Sequence, residues 1–186
     1  MKYICAKLIL SAICLAAPVT PIIAQDSPRV QAEADISRTV AELRYVIGDW
    51  DVSTDFISPE GKVFTAKGRY SFAWVVPDKI VSGISETPAL KQTSAILFFH
   101  RPAKKEVEMA AVGPDGHLWR MIGPENSETR TTPDTQMPDG STMMLRFTRS
   151  NVKADSFRST MEMSNDGGKT WRVANRQQFT RIIPEA

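Results

Sequence analysis

The pattern of apolar and polar positions changes once along the chain, at Gly48. Before this glycine, apolar residues recur every three or four positions, at Ile36, Val40, Leu43 and Ile47. This spacing predicts an amphipathic helix over roughly residues 30–46, and glycine commonly follows a helix end. After Gly48 the chain consists of short runs rich in β-branched and aromatic residues, separated by turn sequences, which predicts strands.

Ten strands are predicted, at residues 49–57, 63–76, 79–86, 93–101, 106–112, 117–122, 127–132, 141–149, 156–164 and 169–182. No predicted helix is available to connect parallel strands, so hairpin connections and antiparallel pairing are expected. A sheet of this many sequential strands either closes or splits into two layers, and closure removes exposed edges. We therefore predict an all-β fold, an antiparallel up-and-down barrel of about ten strands with one N-terminal helix.

Most strands alternate between apolar and polar residues, as the first does with Trp50, Val52, Thr54 and Phe56 on one face. This alternation is typical of strands that bury one face. Residues 95–99 and 110–112 are apolar on both faces. We therefore expect the N-terminal helix to cover these two strands from outside the barrel.

The first 24 residues have the order of a secretory signal peptide. Lys2 and Lys7 precede an apolar run over residues 8–17, and Ala24 offers a small residue for cleavage. The run is too short to span a bilayer. We expect a periplasmic or secreted protein without a stable membrane anchor after cleavage, in which residues 25–33 form a flexible segment and residues 34–183 form the helix and barrel.

Removal of this segment changes the composition of what remains. The two cysteines, Cys5 and Cys14, both lie inside it, so disulfides and thiolate chemistry are excluded from the exported domain. The formal charge of the whole chain is +2, and the segment holds two lysines and no acid. The exported domain is therefore neutral, which argues against a nucleic-acid partner.

The tripeptide Gly48-Asp49-Trp50 resembles the G-x-W motif that opens lipocalins and other calycin barrels. The resemblance implies that Trp50 plugs one end of the barrel and that Arg181, in the last strand, lies across its ring. A guanidinium on an indole face is worth about 0.5–2 kcal/mol. The order of landmarks over residues 40–182 is similar to that of secreted bacterial lipocalin-like domains of unknown function, a resemblance that implies a fold and no particular ligand.

Residues 164–171 read S-N-D-G-G-K-T-W, which fits the Asp-box pattern of sialidase propellers. In that pattern the carboxylate, here of Asp166, accepts hydrogen bonds from turn amides. Glycoside chemistry would need several propeller blades, and the chain holds one copy. We therefore assign Asp166 a structural role in a rigid hairpin.

The two histidines, His100 and His117, lie at strand ends. Heme-binding calycin barrels ligate iron through a histidine, so His100 is a candidate heme ligand, with a capping role as the alternative. No H-x-x-H or H-E-x-x-H spacing supports a zinc site, and we expect no metal.

The strands carry six methionines, which suit an apolar interior of irregular shape, either as cavity lining or as core filler. We predict a barrel that binds a small apolar or amphipathic molecule, lined by Tyr70, Phe72, Trp74, Phe98, His100, Met109 and Met161. Two alternatives remain open. One is an isomerase, cyclase or hydrolase acting on a hydrophobic metabolite through a group such as His100, Arg146 or Glu162, and the other is an envelope-interaction module with a packed interior.

Overall fold

The computed structural model describes residues 28–184, without the side chains of residues 28–33 and 35. The predicted signal peptide, residues 1–24, lies outside the described residues. Helix α1 spans Pro28–Val46, so it begins slightly before the predicted start and includes the later part of the segment 25–33. Within the described residues no helix is both long and apolar enough to span a lipid bilayer.

Eleven strands follow the helix. They are β1 (Gly48–Ile57), β2 (Val63–Val76), β3 (Ile80–Thr87), β4 (Gln92–Arg101), β5 (Glu106–Val112), β6 (Leu118–Pro124), β7 (Thr129–Thr131), β8 (Thr135–Gln136), β9 (Thr142–Lys153), β10 (Ser156–Ser164) and β11 (Arg172–Arg181). Two single-turn 3₁₀ helices, Pro88–Leu90 and Pro102–Lys104, connect β3 to β4 and β4 to β5.

Ten of these strands form a closed antiparallel ring. Each pairs with its neighbour in sequence, and β1 closes the ring by pairing with β11, as in Trp50 opposite Arg181. The short β8 pairs only with β9 and stands outside the ring, so β7 pairs directly with β9. The predicted ten-stranded up-and-down barrel is confirmed.

Helix α1 covers the end of the barrel at which β1 begins, which we call the helix end. Leu43 of α1 is fully buried against the inward-facing Val81, Phe98 and Val107. The expectation that the helix covers β4 and β5 from outside is wrong, since Leu97 on that outer face is 44% exposed. Leu43 faces inward-pointing side chains of the barrel, so the helix closes the end of the barrel rather than its side.

A second buried cluster, which we call the aromatic plug, lies at the helix end and consists of Trp50, Val52, Phe157 and Phe179. The rings of Phe157 and Phe179 stack at 4.2 Å between centroids, and the Trp50 ring meets Phe157 edge-on at 5.2 Å. Trp50 Nε1 donates a hydrogen bond to the carbonyl of Val46 at 2.9 Å, which ties the plug to α1.

Arg181 joins the last strand to this end of the barrel. Its guanidinium lies 4.1 Å from the centre of the Trp50 ring and donates hydrogen bonds to the carbonyls of Ile47 and Tyr45. Carbonyls at the C-terminal end of a helix receive no hydrogen bond from an amide of the same helix, so the Arg181 donors satisfy acceptors that would otherwise be unpaired. Arg181 therefore fixes the junction of α1 and β1 against β11.

The hairpin between β10 and β11 is organised by Asp166. Its carboxylate accepts hydrogen bonds from the side chains of Ser164 and Thr170 and from the amides of Lys169 and Thr170. These bonds, led by that from the Thr170 hydroxyl, lower the pKa of the Asp166 carboxyl well below its ordinary value. The turn passes through Gly167 and Gly168, both at positive φ.

Candidate functional site

A cavity of about 250 Å³ lies inside the barrel, directly above the aromatic plug. Within each strand, the residues that line the cavity are alternate residues, which point to the same side of the sheet, such as Ser94, Ile96 and Phe98 of β4. An engineered apolar cavity of about 150 Å³ in another protein binds benzene. The space here is therefore large enough for a small organic molecule.

Five of the seven predicted lining residues border this cavity: Tyr70, Phe72, Phe98, Met109 and Met161. They come from β2, β4, β5 and β10, so the barrel brings together residues that are far apart in sequence. The other two, Trp74 and His100, do not border it. Trp74 instead packs on the cluster around Leu43 at the helix end.

His100 is engaged in a buried pair. Its Nε2 lies 2.7 Å from Oε2 of Glu125, and both side chains are almost inaccessible to solvent. A ring nitrogen held by a carboxylate and placed outside the cavity does not fit a ligand to heme iron in that cavity. Within the described residues, no three His, Cys, Asp or Glu side chains cluster as metal ligands.

Small residues on three adjacent strands make the cavity possible. Ser85 of β3, Ser94 of β4 and Ala111 of β5 all border it. On β3 the position opposite Phe72 is Gly83, and a Cβ there would lie 2.4 Å from the Phe72 ring. Glycine is therefore required for Phe72 to lie across β3 as it does.

One wall carries a fixed polar patch. Gln177 Nε2 donates to the Tyr70 hydroxyl at 3.2 Å and to Thr54 Oγ1 at 3.1 Å, and Ser159 donates to Gln177 Oε1 at 3.0 Å. The amide of Gln177 is thus satisfied within the protein. A patch of this kind orients side chains, and such patches are costly only when a member lacks a partner.

Two arginines border the cavity, Arg130 from β7 and Arg149 from β9, and they are 2% and 7% exposed. Arg130 Nη2 donates to Glu42 of α1 at 2.5 Å. Arg149 donates from Nε and Nη2 to Glu128, and its Nη2 lies 3.5 Å from the same Glu42 oxygen. We call Arg130 and Arg149 the arginine pair.

Each member of the arginine pair has a buried nitrogen without an acceptor among the described residues. These atoms are Arg130 Nε and Arg149 Nη1. A buried donor without a partner costs about 1–3 kcal/mol, and more when the group is charged. The mostly apolar lining therefore includes two guanidinium groups, each with one hydrogen-bond donor that the described residues leave unused.

The arginine pair was not predicted from the sequence. Arg149 follows Leu145 and Phe147 at alternate positions of β9, and this alternation is a signal that it faces inward. Arg130 lies in the three-residue strand Thr-Arg-Thr, where no apolar alternation indicates a face. Its partner Glu42 comes from the helix, and no local pattern links the two.

Two of the three groups proposed for the enzyme alternative, Arg146 and Glu162, do not lie inside the barrel, whereas His100 points inward and is paired with Glu125. Residues of odd number in β9 border the cavity, so Arg146 faces outward, where it donates to Glu162 at 2.8 Å and lies over the Trp171 ring. The hydrogen bond to Glu162 raises the pKa of Arg146. The interpretation of Arg146 and Glu162 as interior groups is therefore wrong.

No protein-family model matches the chain, and no curated protein sequence matches it. Among the solved structures that are similar in fold are one from M. tuberculosis and one from Guillardia theta. Rv2717c from M. tuberculosis is 14% identical, with a TM-score of 0.56 over 78% of this chain and 98% of its own. The S-type phycobiliprotein lyase CPES from Guillardia theta is 9% identical, with a TM-score of 0.51 over 83% and 98%. These similarities show a calycin-like barrel fold.

Proposed function

We propose that this protein is an exported barrel that binds a small apolar or amphipathic molecule in its interior. The cavity carries this proposal, because its walls are mostly apolar and α1 covers one end of the barrel that encloses it. Export rests on the predicted signal peptide at residues 1–24. We propose the periplasm or the extracellular space as the place of action.

A packed envelope module is less well supported than a ligand-binding barrel. Protein interiors are packed as densely as organic crystals, and voids larger than a water molecule are few. A void of about 250 Å³ inside a small barrel forfeits dispersion contacts along its whole lining. A bound molecule would restore those contacts, which is a reason for a fold to keep such a space.

The test is binding of the neutral dye N-phenyl-1-naphthylamine, which fluoresces strongly in apolar surroundings. Residues 110 and 111 are both alanines on β5, and only Ala111 borders the cavity, whereas Ala110 faces outward. Ala111→Phe fills the space, and we expect it to weaken dye binding about tenfold or more, the loss of roughly 1.4 kcal/mol or more. Ala110→Phe is the matched control and should bind as the original chain does.

Two results would contradict the proposal. One is a well-folded original chain, judged by circular dichroism, that does not bind the dye. The other is an equal effect of both substitutions, since the dye would then bind outside the barrel. Native mass spectrometry of protein purified from its own host provides the natural ligand's mass.

A further inference from the structure

We infer that the bound molecule carries an anionic oxygen head group, a carboxylate, held by the arginine pair at the deep end of the cavity. The molecule is thus an alkyl or aromatic carboxylate rather than a neutral apolar compound. This inference rests on the proposed function, since it names the chemistry of the molecule that occupies the same cavity.

The unused donors are the first observation. Arg130 Nε and Arg149 Nη1 are buried and have no acceptor among the described residues, although both side chains border the cavity. Arginine presents its donors in a rigid planar fork that matches the two oxygens of a carboxylate. An oxygen acceptor bound in the cavity beside these two side chains would supply the partner that they lack.

The local charge is the second observation. Among the residues that the structure describes, Glu42 is the one carboxylate near the pair that is itself largely buried, and it lies within 3.5 Å of both guanidinium groups. Glu128, the other partner of Arg149, is 50% exposed, so water hydrates much of its charge. The two buried cations are thus matched by one buried and one half-exposed anion, and a carboxylate from a ligand would provide a second buried anion.

The rigidity of the pair is the third observation. The Arg130 guanidinium lies 4.8 Å from the centre of the Phe98 ring, and that of Arg149 lies 5.5 Å from the centre of the Tyr45 ring and 5.8 Å from that of Phe157. Hydrogen bonds to carboxylates fix the two guanidinium groups further, from Arg130 to Glu42 and from Arg149 to Glu128. Donors held in place before binding lose little freedom when a ligand arrives.

The position of the pair selects an amphipathic molecule. The arginines lie beside Phe98 and Phe157 near the helix end, and the rest of the cavity, past Ile96 and Met161, is mostly apolar. A head group at the arginines places its apolar part against these walls. A free inorganic anion would fill only the deep end and leave the apolar walls uncovered.

The experiment displaces N-phenyl-1-naphthylamine with three molecules of equal chain length, namely decanoate, 1-decanol and decylamine. We expect decanoate to bind about 10- to 100-fold more tightly than decanol, the range of a charge-assisted hydrogen bond. Decylamine should bind most weakly, because its cation would lie beside two others. Equal affinities for decanoate and decanol would overturn the inference, and they would mean that water satisfies the arginines.

Arg149→Met tests the residue itself. Its main partner Glu128 is half-exposed and remains hydrated after the change, so this variant is more suitable than one at Arg130. We expect the affinity for decanoate to fall about tenfold or more and that for decanol to stay the same. Arg146→Met is the matched control, because Arg146 lies on the same strand, pairs with Glu162 and faces outward.

A measurement on the original chain decides the matter if Arg149→Met does not fold. The ¹³C chemical shift of decanoate labelled at its carboxyl carbon reports the protonation of the head group. Bound decanoate should stay ionised to lower pH than free decanoate, since nearby guanidinium groups favour the charged form. The inference would be overturned if the pKa of the bound decanoate carboxyl were equal to or higher than that of free decanoate. Failure of every probe, including the dye, would instead contradict the proposed function.

Discussion

Two regions of the barrel interior are built from the same alternation of inward and outward residues, but one is packed and the other is hollow. At the helix end, Trp50, Phe157 and Phe179 come from three adjacent strands and fill the space with rings in contact. On the opposite wall, β3 to β5 present Ser85, Ser94 and Ala111, which leave the space open. The size of the inward residues, rather than their polarity alone, therefore decides which part of the barrel is packed and which is hollow.

The largest expected effect comes from removal of the centre of the aromatic plug. Trp50→Ala should lower the free energy of unfolding by about 3–5 kcal/mol, because a fully buried indole leaves a cavity that the plug cannot refill. Trp119→Ala is the comparison, because Trp119 borders the cavity and is only half-buried. It should cost less, about 1–2 kcal/mol. Urea denaturation of both variants measures the difference, and equal losses would mean that the two regions are packed alike.

The next effect lies at the boundary between the two regions. Gly83→Ala places a methyl group 2.4 Å from the Phe72 ring, so the ring must move from its place in the cavity wall. We expect a loss of about 1–3 kcal/mol in unfolding free energy and weaker dye binding. Ser85→Ala is the control at the next inward position of β3. It should change both the free energy of unfolding and the dye affinity much less. Unchanged dye affinity in Gly83→Ala would show that Phe72 does not shape the binding space.

The smallest effect is expected outside both regions, in the hairpin organised by Asp166. Its pKa is lowered in the folded protein, so its contribution to stability is complete above the ordinary value of 3.8 and is lost as the pH falls toward the folded value. Asp166→Asn should therefore lower the melting temperature slightly at neutral pH, and its difference from the original chain should shrink below pH 3.8. Asp134→Asn, in an exposed loop, is the control. If the difference in melting temperature between Asp166→Asn and the original chain grew as the pH fell, the prediction that the ionised carboxylate stabilises the fold would be contradicted.

The strands could be predicted because a strand with one buried face alternates between apolar and polar residues, and because turn sequences separate one strand from the next. Most predicted bounds lie within a few residues of those observed. The short β7 falls within the predicted strand 127–132, whereas the two-residue β8 is too short to show a period and was not predicted. The place of α1 was mispredicted for a different reason, since the periodicity of Leu43 and its neighbours identifies an apolar face and does not say what that face packs against.

The candidate site was predictable in part for the same geometrical reason. Phe98 and His100 share a face of β4, as Phe72 and Trp74 do on β2, but only the first of each pair reaches the cavity. Two residues along a strand span roughly 7 Å, which is enough to pass from the cavity into the packed helix end. Alternation thus predicts the face of a residue and leaves its depth in the barrel to the tertiary structure.

The pairing of β1 with β11 also constrains when the molecule can fold. Asp51 and Thr180 are opposite each other in that pair although almost the whole barrel separates them in sequence. Contacts of such separation slow folding, because the loop-closure entropy is paid before the contacts form. While the chain is being synthesised, the ring stays open until β11 has left the ribosome. An unfinished chain therefore cannot close the barrel, and the export that we propose, through a channel for unfolded proteins, would require such an open chain.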